Sequence, residues 1–400
     1  MALQKKNVER TVFLTLCVMG FFAILSSTMS KNPVLKPFTK SLGTPDEWTG
    51  FVASASTIPG ILISLPAASL SDIYGRKKFL LFAGLVFASA PFFYLLITVW
   101  WQLILVRFYH GFATAIFVPV AEASIAELFP TKRGERISLF SSATYVGRVI
   151  APTLGGYVLF ATTDNFHVLY LAVGVAGITA VIMALPFLTR KKQQLARLQE
   201  NTKEGVKQMF SGWKTLVKNR GVLIVSFVQA SLYYVYGAEE FFLVGYLTEV
   251  VQLDTFLTGI ISTSVIAVAI FARPYMGRVS DRIGRRKPIA LGCIISATPL
   301  LLIPFFSEFW TLLLLVLVYG FGFATVIAST PALISELVPK ELVGTSMGFL
   351  DTVMDVGQTA GPIISGFILA TSLQYTGVFA TLAFVLLFSS AVSALFKSRS

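Results

Sequence analysis

Arg107, Glu122, Arg148, Glu239, Glu240, Asp351 and Asp355 all fall inside stretches of sequence that are otherwise apolar. A charge in such a stretch is costly to hold away from water, so it faces protein or a wet cavity and carries a functional expectation. A desolvated carboxylate takes up a proton more readily than a solvated one, and a nearby arginine senses that change by Coulomb attraction. These seven residues are therefore the candidates for proton coupling or substrate binding. Asp351 and Asp355 stand one turn apart on one helix face. Asp355 lies about 18 Å from the start of its apolar segment at 1.5 Å per residue, near the middle of a bilayer. Arg148 is expected at similar depth, and Glu122 nearer one edge. Glu239 and Glu240 sit among Tyr233, Tyr234, Tyr236, Phe241 and Phe242. A glutamate so placed can hold a planar cation; it can equally be an interfacial residue within an aromatic belt. Arg107 can act as a sensor or as a member of a static ion pair. Arg273, just before Pro274, has the length to snorkel.

The elements that position these residues follow from composition. Hydrophobic residues make up 55% of the chain, charged residues 13%, and phenylalanine occurs 35 times. That balance suits a bilayer rather than water. A helix needs about 20 mostly apolar residues to cross the hydrocarbon core. Twelve segments qualify, near 11–32, 48–70, 79–99, 102–128, 138–161, 166–188, 221–246, 253–276, 288–307, 309–335, 343–370 and 374–396. The first is too long for a signal-peptide core and is read as a span. Of 32 lysines and arginines, Arg107, Arg148 and Arg273 fall within spans and Lys31, Lys36 and Lys40 in the loops of one face. The rest crowd the other face, so both termini are expected in the cytoplasm of a multi-pass cell-membrane protein. The net charge of +12 is accounted for by these topology signals and implies no nucleic acid. Cys17 and Cys293 lie in apolar segments and suggest no disulfide.

The chain also repeats itself at an offset of 209 residues. Asp72-Ile-Tyr-Gly-Arg-Lys is answered by Asp281-Arg-Ile-Gly-Arg-Arg, Gly111 by Gly320, and Glu127-Leu-Phe-Pro by Glu336-Leu-Val-Pro. Pro152 is answered by Pro362 after a one-residue slip. A duplication of this length in an apolar chain indicates two homologous membrane bundles. The expected organisation is a six-helix bundle over 1–189, a basic cytoplasmic linker over 190–220 and a second six-helix bundle over 221–400. The linker's apolar residues recur at helical spacing, as in an amphipathic helix on a membrane surface or a solvated connection.

Six plus six spans, a basic central loop and the repeated motif resemble the major facilitator superfamily. Its loop signature between spans 2 and 3 is matched closely by Gly277, Val279, Asp281, Arg282, Gly284, Arg285 and Arg286. The first copy, Ala68, Leu70, Asp72, Gly75, Arg76 and Lys77, has Ile73 in place of the motif arginine. The resemblance implies that Asp72 and Asp281 latch onto the N-termini of spans 11 and 5 when the inner side is closed. A carboxylate at a helix N-terminus is favourable, and Gly75 and Gly284 permit the tight turn. Arg107-Phe-Tyr-His-Gly111 is similar to the arginine motif of span 4. Gly147-Arg-Val-Ile-Ala151-Pro152-Thr-Leu-Gly155-Gly156 resembles the span-5 motif of the 12-helix drug:proton antiporters, with Ala151 replacing a glycine. Span 11 repeats it as Gly357, Gly361 and Pro362, so a duplicated packing element is the competing explanation.

The resemblance implies an all-α integral membrane protein of twelve transmembrane helices and an alternating-access transporter, not an enzyme. Proton-coupled efflux of small amphipathic molecules is the first expectation. A proton-coupled importer or a uniporter of a polar metabolite, such as a sugar or organic anion, is the alternative, with Arg107 and Arg148 as substrate ligands. Expected partners are a small-molecule substrate, protons and membrane lipids, for a monomeric protein. No cofactor, metal spacing or phosphate-binding loop is apparent.

Overall fold

A computed structural model of the protein describes residues 2–188, 213–339 and 342–395. Among these, helices are the regular secondary structure. The first bundle holds α1 (Ala2–Met29), a short α2 (Leu35–Ser41), α3 (Asp46–Ser54), α4 (Ile58–Tyr74), α5 (Arg76–Tyr94), α6 (Trp100–Leu128), α7 (Arg133–Ala161) and α8 (Phe166–Leu188). The second holds α9 (Arg220–Gly245), α10 (Thr255–Ile283), α11 (Arg286–Leu302), α12 (Phe309–Leu337), α13 (Val343–Leu369) and α14 (Gln374–Leu395). The fold is twelve transmembrane helices in two homologous six-helix bundles.

Nine of the described helices are long and apolar enough to cross a bilayer on length and composition. The remaining spans are the α3–α4 pair, α7 and α13. These three, with α10, face the opposite half, and an interior face can carry the small and polar residues that a lipid-facing one cannot. Side-chain caps fix several helix starts. Asn219 accepts from the Gly221 amide at 2.9 Å, and Asp254 accepts from the Leu257 amide at 2.8 Å. Such caps satisfy amides left without partners in a first turn.

Residues 190–212 of the expected linker lie outside the described residues. Its end docks on the second bundle. Leu216 is fully buried, and Trp213 lies edge-on to Phe349 of α13 at 5.4 Å.

Candidate functional site

Span 2 is two helices. α3 stops at Ser54 and α4 starts at Ile58. A local cause is Pro59 in the first turn of α4, which has no amide to donate to the Ala55 carbonyl; a tertiary one acts beside it. Arg107, buried on α6, donates from Nε to the Val52 carbonyl at 2.8 Å. Its Nη2 donates to the Ala53 carbonyl at 3.1 Å and the Ser56 hydroxyl at 2.7 Å. A guanidinium at a helix C-terminus satisfies carbonyls that the next turn would otherwise take, and complements the dipole. Gly111, one turn on, lies so close to the Ser56 carbonyl that any larger residue would collide.

The break turns α3 and α4 against α13, forming one seam between the halves. Gly50 packs on the backbone of Pro362, and a Cβ at Gly366 would stand 3.0 Å from the Gly50 nitrogen. Ser54 donates to the Thr359 carbonyl at 2.7 Å, and Thr57 bonds the Thr359 hydroxyl at 2.7 Å. A Cβ at Gly60 would stand 3.0 Å from Asp355 Oδ2. The second seam joins α7 to α10. Gly259 packs on the Pro152 carbonyl and Gly156 on that of Thr255. Thr263 bonds the Thr153 hydroxyl at 2.7 Å and donates to the Val149 carbonyl at 3.1 Å.

Two cross-half ion pairs stand at the end where the seams are tight. Lys31 pairs with Glu240 at 2.9 Å, and Lys36 with Glu249 at 3.5 Å. Lys36, on the connecting helix α2, is 3% exposed and lies over the Phe241 ring. Burial pushes its ammonium below the ordinary lysine value, and Glu249 and Asp46 oppose that shift. Tyr375 donates to Glu249 at 2.7 Å, completing the cluster. Lys31, Ser56, Arg107, Glu240, Phe241 and Gln358 line a cavity just inside this closed end.

Toward the motif loops the same seams part. A Cβ at Gly134 of α7, Gly277 of α10 or Gly344 of α13 would meet nothing within 4 Å. Here Glu122 of α6 and Asp351 of α13 lie within electrostatic range of each other, from opposite halves. Asp355 is one turn above Asp351. Arg148 is exposed, and its charge reaches Lys31 and Tyr236. Arg273 donates to the Tyr145 hydroxyl at 3.4 Å across the second seam. Glu239, one residue from Glu240, is instead 2% exposed. At the motif loops Arg76 bonds Glu127 at 3.1 Å, and its copy Arg285 bonds Glu336 at 2.9 Å and also Asp281. Gly75 and Gly284 hold φ of 100° and 84° in the turns, values that favour glycine. Arg282 and the Asp281 side chain are exposed.

The model of the Major Facilitator Superfamily matches residues 16–257 and 240–400. The chain belongs to this superfamily. A multi-drug resistance efflux pump PmrA homolog of Lactococcus lactis is 25% identical over 377 residues, covering 90% of this chain and 89% of its own. The multidrug resistance protein MdtG of Serratia proteamaculans is 24% identical over 398 residues, covering 97% and 93%. In fold, the chain matches a bacterial homolog of the human lysosomal transporter Spinster, crystallised inward-facing and unoccupied. The TM-score is 0.77 at 15% identity, over 97% of this chain and 95% of that one.

In this superfamily member the span-5 motif and its span-11 copy work on two faces. Gly147 lies against the Phe21 carbonyl of α1, and Gly357 against the Ala230 carbonyl of α9. Gly361 meets the Tyr234 carbonyl of α9, and Gly155 meets Met29 of α1. Ala151 is wholly buried. The prolines and Gly156 serve the seams. The repeated small residues thus seat α7 and α13 within their own bundles while keeping the opposite face flat enough for the other half.

Sequence reasoning counted Lys31 and Lys36 only as topology signals and missed their pairing across the halves. A signal was present: Lys31 precedes Glu240 by the repeat length of 209. The partners of Arg76 and Arg285 were likewise visible as the repeated Glu127 and Glu336 landmarks, without their role.

Proposed function

We propose that the protein exports small amphipathic molecules in exchange for protons by alternating access. The observation that carries this reading is the carboxylate group at the open end, with Glu122 from one half within electrostatic range of Asp351 from the other, and Asp355 one turn along. Closing that end alters the spacing of these like charges and their access to water. Protonation relieves the cost, so the protonated and charged forms favour different conformations. The relatives' multidrug efflux assignments support export. On this reading the parted end faces the cytoplasm, where both termini lie, and the chain works as a monomer. When that end closes, Asp72 and Asp281 reach the N-termini of α13 and α7.

Everted membrane vesicles energised to an acid interior test the proposal. They should accumulate a lipophilic cationic dye, and a protonophore should abolish accumulation. Asp355→Asn should lose gradient-driven transport yet retain dye exchange at equal pH, because exchange needs no net proton movement. If Glu122→Gln, Asp351→Asn and Asp355→Asn all keep gradient-driven transport, proton coupling through these carboxylates is wrong. Accumulation by intact cells would favour the importer.

A further inference from the structure

A second, smaller cavity lies beside the closed end, with room for one water-sized occupant. Asn32, Tyr236, Glu239, Glu240 and Ser262 supply its polar lining. Asn32 comes from the turn after α1 and Ser262 from α10, so the cavity bridges the halves. Glu239 is 2% exposed, and among the described residues no hydrogen bond or ion pair reaches it. The side-chain oxygen of Asn32, itself 3% exposed, is buried without a partner. Tyr319 of α12 lies within electrostatic range of Glu239, and its buried hydroxyl is also unpartnered. Buried polar groups are normally satisfied, and a carboxylate above all.

The buried cations nearby are committed elsewhere. Lys31 pairs with Glu240 at 2.9 Å. Arg107 serves the carbonyls of Val52 and Ala53. Arg148 is exposed, and among the described residues no ion pair joins it to Glu239. Beside Glu240, which Lys31 already pairs, one acidic side chain without a partner shares a space for one small occupant with the neutral oxygens of Asn32, Tyr236 and Ser262, a lining that suits a hard monovalent cation. No group of three histidine, cysteine or acidic side chains of the kind transition metals prefer occurs among the described residues.

We propose that Glu239, Asn32 and Ser262 bind one dehydrated monovalent cation of sodium's size. An ion held between Asn32 of the first half and Glu239 and Ser262 of the second ties the halves together at the closed end. Sodium therefore favours this state over one that opens there. The site is independent of the proton-coupling reading, because binding can be measured without transport.

The test is thermal unfolding of the purified full-length protein in sodium, potassium or choline chloride at fixed ionic strength, with radiolabelled sodium binding alongside. The midpoint should rise saturably with sodium and stay flat in choline. Glu239→Gln should abolish both signals. Ser262→Ala should fold normally and need about tenfold more sodium. Asn32→Ala should weaken binding in the same way, keeping the proposal testable if Glu239→Gln fails to fold. Identical midpoints in sodium and choline, with no bound label, would mean that the cavity holds a water and the proposal is wrong. A sodium effect undiminished in Ser262→Ala and Asn32→Ala would place the ion elsewhere and equally overturn it.

Discussion

The two seams between the halves are copies at the closed end and diverge toward the open one. Gly50 on Pro362 is matched by Gly259 on Pro152 at the repeat offset. The Ser54 bond to the Thr359 carbonyl, 2.7 Å, is matched by the Thr263 bond to the Val149 carbonyl, 3.1 Å. Further along, Asp355 faces Gly60 in one seam, while its equivalent Tyr145 accepts a bond from Arg273 in the other. The helices differ as well. Span 2 is broken where Arg107 binds it, whereas α10 runs unbroken and the position equivalent to Arg107 is the apolar Val316. Sealing one end is thus a steric task that both seams inherited. The charged side chains beside them differ, acid in one and arginine in the other.

The largest effect is expected where the seams differ most in backbone. Arg107→Met leaves the buried Val52 carbonyl and the half-buried Ala53 carbonyl without their donors, at about 1–3 kcal/mol for a fully buried unsatisfied group. The thermal midpoint should fall markedly. A variant as stable as the parent would show that the chain around Ser56 breaks the helix by itself, and the contrast with α10 would need another cause.

Where the seams agree, substitutions should agree. Gly50→Val and Gly259→Val each force a side chain against a proline backbone, an overpacking cost of about 1–3 kcal/mol. Each should shift the balance between closed and open ends by about 5- to 150-fold. Cysteine labelling from the Lys36 side should rise in both variants. A response in only one would mean that the two seams share geometry but not energetics.

The divergent turn sharpens the comparison. Asp355→Asn should cut proton-gradient-driven transport about fivefold or more, as expected for loss of a coupling energy above 1 kcal/mol. Tyr145→Phe, at the equivalent position, should leave it near the parental rate while loosening Arg273. Equal losses would assign coupling to the pair of seams rather than to the acidic one.

The fold was legible because duplication and hydropathy are both written along the chain. The offset linking Asp72 to Asp281 identifies two bundles, and long apolar runs mark most spans. What stayed hidden is tertiary. Pro59-Gly60 mark the break in span 2 locally, but the bonds that hold its carbonyls come from a side chain some 50 residues away, as the separation of 55 between Arg107 and Val52 records. The intramembrane charges stood out individually. Nothing local says that Glu240 has a lysine partner while neighbouring Glu239 has none, because that depends on which helix face meets the other half.

The smallest effect is expected at the symmetry axis itself. Lys31 and Glu240 occupy equivalent positions 209 residues apart, so the local two-fold passes between them and brings a position against its own copy. An undiverged duplication would oppose identical charges here; a lysine facing a glutamate converts that repulsion into attraction. The pair is partly exposed, at 26% and 13%, so its contribution should be about 1 kcal/mol, roughly fivefold in the balance of states. Lys31→Glu alone should raise labelling at the closed end, because Glu240 then faces another acid. Combining it with Glu240→Lys should return labelling to the parental level, since the axis makes the two positions geometrically interchangeable. If the double exchange labels as heavily as the single variant, the two sites are not interchangeable. The equivalence would then extend to the backbone of the halves but not to the environment at their axis.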